Sequence, residues 1–176
     1  MSDYNEDSIR SLQWNVHLRE RPGMYIGKLG DGSEPDDGIY VLLKEVIDNS
    51  IDEFMRGYGR NIEVTIKDSQ VSVRDYGRGM PLGKVIDCVA RINTGGKFDD
   101  QAYDTAIGMN GVGVKAVNAL STMFFVSSVV NGKKKSARFS AGEIVEDFPI
   151  CETDEHNGTF ISFLPDDKLF ENFHWY

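Results

Sequence analysis

The chain has 176 residues, with 19 Lys+Arg against 28 Asp+Glu and a formal net charge of −9. A surface that grips DNA neutralises phosphates with basic side chains, so this acidic balance excludes direct DNA gripping as the main task of these residues. At 40% hydrophobic and 11% aromatic the chain can pack a core. Cys88 and Cys151 form no CxxC pair and fit reduced, intracellular chemistry, and the apolar runs are too short to span a bilayer.

Residues 1–20 read as a polar arm with apolar points at Ile9, Leu12, Trp14 and Val16. Residues 21–38 form a turn-rich connector that closes on Asp36-Asp37, either of which suits a helix N-cap. Residues 39–56 carry the strongest helical period. Leu43, Val46, Ile47, Ser50, Ile51 and Phe54 share one side, while Glu45, Asp48, Asn49, Asp52 and Glu53 fall on the other. Gly57 and Gly59 end the helix.

Two strands are predicted next, at 61–67 and 70–75, alternating Ile62, Val64, Ile66 and then Val71, Val73 about a turn at Asp68-Ser69. Pro81-Leu82-Gly83 leads into a short helix at 84–92, and a long glycine-containing segment spans 93–110. Another helix opens at Gly111-Val112-Gly113 and reaches Leu120. Strands follow at 122–130, 133–140, 143–150 and 159–164, with turns at Asn131-Gly132 and Asn157-Gly158. The order predicts an α+β fold: two layers, with helices on one face of a mixed, mostly antiparallel sheet.

Five constellations could carry chemistry. Glu45 and Asn49 are four residues apart, so they neighbour each other on the helix. A solvated face would explain the charge there, but a mid-helix Asn needs a reason, and an amide oxygen beside a carboxylate suits Mg²⁺. In Arg74-Asp75-Tyr76-Gly77-Arg78-Gly79-Met80-Pro81 a strand delivers Asp75 into a sharp turn. An ionised carboxylate only accepts hydrogen bonds, which fits the exocyclic amine of adenine and opposes guanine O6. Thr94-Gly95-Gly96-Lys97-Phe98 offers a lysine as a point charge for phosphate, and Gly108 to Gly113 opens a helix whose amides can face an anion. Asn157-Gly158-Thr159 places a hydroxyl at the start of a strand, able to share a water with Asp75.

The competing phosphate motifs fail. GxxxxGK[ST] is absent, because Phe98 follows Lys97 and Arg91 stands at the first glycine position. Gly111 to Ala116 matches GxGxx[GA], but no strand precedes it and no acid lies about 20 residues on.

In their order, RPGMYIG (21–27), EVIDNSIDE (45–53), RDYGRGMP (74–81), TGGKFDD (94–100), GMNGVGVKAVNALS (108–121) and NGT (157–159) resemble the GHKL ATPase domain of the B subunits of bacterial type IIA topoisomerases. The resemblance runs over nearly the whole chain. EVIDNS and RGMP lean toward the topoisomerase IV branch over gyrase. It implies the Bergerat (GHKL) α/β sandwich, ATP and Mg²⁺ as ligands, and a bacterial cytoplasmic setting.

The resemblance also implies roles. Glu45 is the general base and Asn49 the Mg²⁺ ligand. Asp75, helped by Thr159, takes the adenine amine, and Tyr103 reaches the base from a lid at 94–113. Lys97 and the amides of Gly111, Val112 and Gly113 hold phosphates, and Gly108 is a further ATP contact. Asp52 and Arg78 line the mouth, Arg78 stacks over the base edge and pairs with Glu53, Gly79 is a further ATP contact, and Val46, Ser50, Val73, Met80, Pro81, Val114 and Ile161 form the lining. Tyr4 and Ile9 belong to an arm, 1–20, that crosses to a second subunit when ATP closes a homodimer, leaving 21–176 as the nucleotide-binding domain.

Further partners implied are a topoisomerase A-type subunit, ATP-competitive inhibitors, and DNA through domains beyond this chain, with no membrane. The stretch from Pro81 to Thr94 is shorter than in typical gyrase members, and Val130 stands where gyrase-like members often carry Arg. As a piece of a longer protein the chain is expected to bind ATP and hydrolyse it poorly. Another GHKL-type ATPase, or a non-catalytic nucleotide-binding module, is the alternative.

Overall fold

The computed structural model describes residues 14–91 and 113–176. Residues 14–20 are helical (α1). They are followed by α2 (Gly23–Ile26), α3 (Gly38–Met55), β1 (Ile62–Lys67), β2 (Gln70–Asp75), a 3₁₀ turn at Leu82–Lys84 and α4 (Val85–Ala90). Beyond residue 112 come α5 (Gly113–Ala119), β3 (Ser121–Val130), β4 (Lys133–Ser140), β5 (Glu143–Asp147), β6 (Cys151–Glu152) and β7 (Gly158–Pro165).

The strands form one sheet in the order β1-β2-β7-β3-β4-β5, with β6 also on β4. Every pairing among the described residues is antiparallel. Asp68 and Ser69 (φ 49° and 71°) make the β1–β2 hairpin, and Asn131 and Gly132 (φ 51° and 81°) the β3–β4 hairpin, both left-handed at the two positions a tight antiparallel turn requires. The strand expected over 143–150 is shorter and split. It stops at Asp147, Pro149 contributes no N–H, and the chain rejoins β4 only at Cys151, opposite Lys134.

Registers stack the inward side chains into rows across the sheet. Val71, Phe163, Phe124 and Phe139 form one row, and Val73, Ile161, Val126 and Ala137 the next. Seven of these eight are at most 2% exposed and Ile161 is 5% exposed, so the rows are the floor of the core. Trp14 and Leu18 of α1, Leu42 and Val46 of α3, Val85 and Val89 of α4, and Val117 of α5 belong to the same cluster.

Helix α3 sits differently from its expected orientation. Its buried line is Gly38, Ile39, Leu42, Val46 and Ser50, while Ile51 and Phe54 are 40% and 48% exposed. The helix packs against β2 and β7 and leaves the edge strand uncovered, so Val64 and Ile66 of β1 are exposed as well. Asp37 occupies the N-cap without capping. Its buried carboxylate turns back to accept the Gly32 and Glu34 amides and to pair with Lys28, which fixes the connector instead.

Candidate functional site

One step beyond the apolar rows the inner face of the sheet becomes polar. Asp75 ends β2, and Thr159, paired with Ser128 of β3, is the residue that would face Asp75 if the β2–β7 register continued by one step. The helix layer and the sheet therefore stop enclosing hydrocarbon at the row Asp75, Thr159, Ser128.

Asp75 is only 6% exposed, and its carboxylate is held from three sides. Ser50 Oγ donates to Oδ2 at 2.8 Å, and the amides of Gly77 and Thr159 each donate to Oδ1 at 3.1 Å. A buried carboxylate needs such donors. Thr159 thus meets Asp75 directly through its main-chain amide. The Arg78-Gly79-Met80-Pro81 turn is tied to β3: the Met80 amide donates to Ser128 Oγ at 2.8 Å, and that hydroxyl donates to the Met80 carbonyl at 2.7 Å. Gly79 has φ 77°, and a Cβ there would lie 2.7 Å from the Val129 carbonyl and 3.1 Å from Val130 Cγ2. Only glycine allows the turn to press this closely on the strand.

Glu53 and Arg78 flank the turn as a paired fork. The Arg78 amide (3.0 Å) and Nε (3.2 Å) donate to Glu53 Oε2, and Nη2 donates to Oε1 at 2.6 Å. Burial pushes the Glu53 carboxyl up, but the Arg78 bonds and charge outweigh it and hold it below its ordinary range. The Arg78 guanidinium also lies over the Tyr58 ring, 4.2 Å from its centroid.

Toward the other end, α3 presents Glu45, Asn49 and Asp52, all half-buried. Burial raises the Glu45 pKa, the neighbouring Asp48 carboxylate adds to this, and Lys44 opposes it. The Asn49 amide makes no hydrogen bond with another described residue. Gly113, at the start of α5, lies directly on Glu45, since a Cβ there would overlap the Oε2 oxygen. Val114 is half-buried beside it, and α5 is tied to α4 by Asn118 donating to the Val89 carbonyl at 3.0 Å.

The structure therefore brings together Glu45, Asn49, Asp52, Glu53, Asp75, Arg78, Gly79, Met80, Gly113, Val114 and Thr159 along the α3 side of the polar row. Val46, Val73, Met80 and Ile161 are buried beneath it, while Pro81 is exposed. Tyr4, Ile9, Lys97, Tyr103, Gly108, Gly111 and Val112 lie outside the described residues. Sequence reasoning counted Ser50 as lining and overlooked Ser128 and Tyr58. The signal for both serines is a hydroxyl inside an apolar pattern, which demands a buried partner.

Comparison with known proteins places this geometry in context. Residues 35–168 match the family described as histidine kinase-, DNA gyrase B-, and HSP90-like ATPase. The chain is 53% identical over 168 residues to the B subunit of DNA topoisomerase 4 from Borreliella burgdorferi, covering 96% of this chain and 28% of that protein. It is 38% identical to the B subunit of DNA gyrase from Rickettsia conorii, covering 97% of this chain and 22% of that protein. The 43K ATPase domain of Thermus thermophilus gyrase B, solved with an aminocoumarin, superposes with a TM-score of 0.78 at 30% identity, over 96% of this chain and 43% of that one. The chain thus spans between a fifth and a third of these two curated relatives.

Proposed function

Because the chain belongs to the histidine kinase-, DNA gyrase B-, and HSP90-like ATPase family, we propose that it is the ATP-binding part of the B subunit of a bacterial type II topoisomerase, of the topoisomerase IV kind. The higher identity to a topoisomerase 4 relative, 53% against 38% for a gyrase relative, supports that branch. In this reading ATP closes two copies into a homodimer through the 1–20 arm and an A-type subunit joins them. DNA is handled by regions outside these residues, and ATP-competitive inhibitors take the same pocket. The cytoplasm is the proposed location, and among the described residues no helix is long and apolar enough to cross a membrane.

The observation that carries the reading is Asp75: a buried carboxylate oriented by Ser50, Gly77 and Thr159, at the point where the core opens. Such a group accepts a hydrogen bond from the exocyclic amine of adenine and repels the O6 acceptor of guanine. Met80 and Ile161 supply apolar surface beside it, and Arg78, fixed by Glu53, covers the base edge. Glu45 takes the proton from the attacking water, and its burial makes it a stronger proton acceptor than an exposed carboxylate. Lys97, Tyr103, Gly108, Gly111, Val112 and Gly113 complete the proposed contacts.

The donor set fits Mg²⁺. Among the described residues no cluster of three or more His, Cys, Asp or Glu forms a metal cage. The Asn49 amide, one helical turn from Glu45, is a single oxygen ligand of the kind that suffices for Mg²⁺ on a nucleotide. When bound, the ion spreads the charge of the phosphates.

Calorimetric titration with non-hydrolysable ATP and GTP analogues in Mg²⁺ tests the reading. ATP analogue binds, GTP analogue does not, and Asp75→Asn weakens ATP analogue binding by roughly 10–100-fold, the scale of a hydrogen bond to a charged group. Equal binding of the two nucleotides by the unaltered chain overturns it.

A further inference from the structure

Asp75 faces the helices, so its neighbour Arg74 projects from the opposite face of β2. There the guanidinium makes two short bonds to main-chain oxygens. Nη1 donates to the carbonyl of Asp75 itself and Nη2 to the carbonyl of His156, both at 2.6 Å. The guanidinium lies over the Tyr76 ring, 4.4 Å from the centroid, and the Tyr76 hydroxyl is anchored on Glu63 at 2.6 Å.

These contacts coincide with the place where β2 and β7 part. The ladder ends at Arg74 opposite Phe160. One step on, Asp75 and Thr159 lie beyond the β2–β7 ladder. The Thr159 amide is taken by the Asp75 carboxylate and the Asp75 carbonyl by Arg74. Gly158 (φ 146°) lies flat across this junction, since a Cβ there would overlap both the Asp75 carbonyl and Arg74 Nη1.

We propose that Arg74 is a positioning residue for base recognition: from behind the sheet it clamps the 156–158 turn to the end of β2, and so sets the Thr159 amide on the Asp75 carboxylate. The proposal rests on the adenine reading of Asp75. A planar fork with two donor groups is suited to bridging two carbonyls, which an ammonium group does less well. Without it the bridge between the Asp75 and His156 carbonyls is lost and the turn is free to move away from Asp75.

Two readouts test this in the same chain: analogue titrations, and amide proton exchange at Thr159. Arg74→Gln keeps much of the stem but serves one carbonyl. It is expected to lower ATP analogue affinity roughly tenfold, from loss of about one strong hydrogen bond, and to speed Thr159 exchange. Arg74→Lys keeps the charge and, with one carbonyl served, falls between Arg74→Gln and the unaltered chain in both readouts; it also covers the case in which the glutamine variant folds poorly. A drop in melting temperature with unchanged affinity and unchanged Thr159 exchange overturns the proposal. If the unaltered chain discriminates ATP from GTP and Arg74→Gln discriminates equally well, the proposal fails alone. An unaltered chain that binds both nucleotides alike overturns the adenine reading and this proposal with it.

Discussion

In the proposed reading a nucleotide bears on Asp75 at its base end and on Asn49 at its phosphate end, yet the two residues are prepared very differently. Asp75 is buried and holds three hydrogen bonds before any ligand arrives. Asn49 is half-buried, and its side-chain amide makes none with the other described residues. At the base end orientation is fixed during folding, so a ligand meets a carboxylate whose direction is already set. At the phosphate end Glu45, Asn49 and Asp52 line a half-open helix face, with Glu45 made more basic by burial. That end is left for a charged ligand to complete. Under the proposed function the contrast would separate selection, which needs a rigid acceptor, from turnover, which needs groups that change partner or protonation state.

The sharpest way to break the contrast is to neutralise the phosphate end. Glu45→Gln in the corresponding full-length protein should lower ATP turnover by at least about 100-fold, the scale of a lost general base. Analogue affinity, set by the base end, should stay within about threefold. Parallel loss of affinity and turnover would merge the two ends into one unit. Stability should move the other way. A carboxyl whose folded pKa is raised binds its proton more readily folded than unfolded, so stability falls as pH climbs above the ordinary value of 4.5. Glu45→Gln removes that burden. Its melting temperature should exceed that of the unaltered chain at neutral pH, with the gap closing as the pH is brought down toward 4.5.

Gly113→Ala is the next probe. The added methyl overlaps the Glu45 carboxylate, which must swing aside. Displacing a reacting group by about 1 Å costs up to roughly 100-fold in rate, so turnover should drop by roughly 10–100-fold while the fold holds. Turnover within twofold of the unaltered protein would mean that the position of Glu45 is not set by α5.

The unequal preparation of the two ends also explains what could be read from residues alone. Strand alternation at Val71, Val73 and Asp75, the paired turn residues at Asp68-Ser69 and Asn131-Gly132, and the helix at 38–55 follow from local periodicity and turn chemistry, and all are legible. The placement of Asp75 at the end of a strand, just before a glycine turn, was legible too. What supports it was not. Ser50 lies 25 residues from Asp75 in sequence, and the Ser128 and Met80 partners lie 48 apart. Only the register that aligns Asp75, Thr159 and Ser128 in one row reveals their common purpose. The exposure of Ile51 and Phe54, on the apolar side of the predicted helix, has a related reason. Periodicity reports an apolar face, and which part of that face is covered depends on where the neighbouring element leans.

Ser50→Ala is the mildest test and bears on the base end alone. The substitution removes the donor to Asp75 Oδ2 and leaves the Gly77 and Thr159 amides on Oδ1. A buried carboxylate that loses one of three donors should cost about 1–2 kcal/mol of stability. If the hydroxyl only satisfies the charge, calorimetry will show that penalty in the melting temperature and no change in analogue affinity. If it also aims the carboxylate, affinity for the ATP analogue should fall by roughly fivefold, because the remaining amides fix one oxygen and leave the group free to rotate about it. The second outcome is expected: Ser50 is on the helix that carries Glu45 and Asn49, so its bond is the one that registers the base end against the phosphate end. Affinity unchanged to within measurement would leave that registration to the packing of Val46 against the sheet.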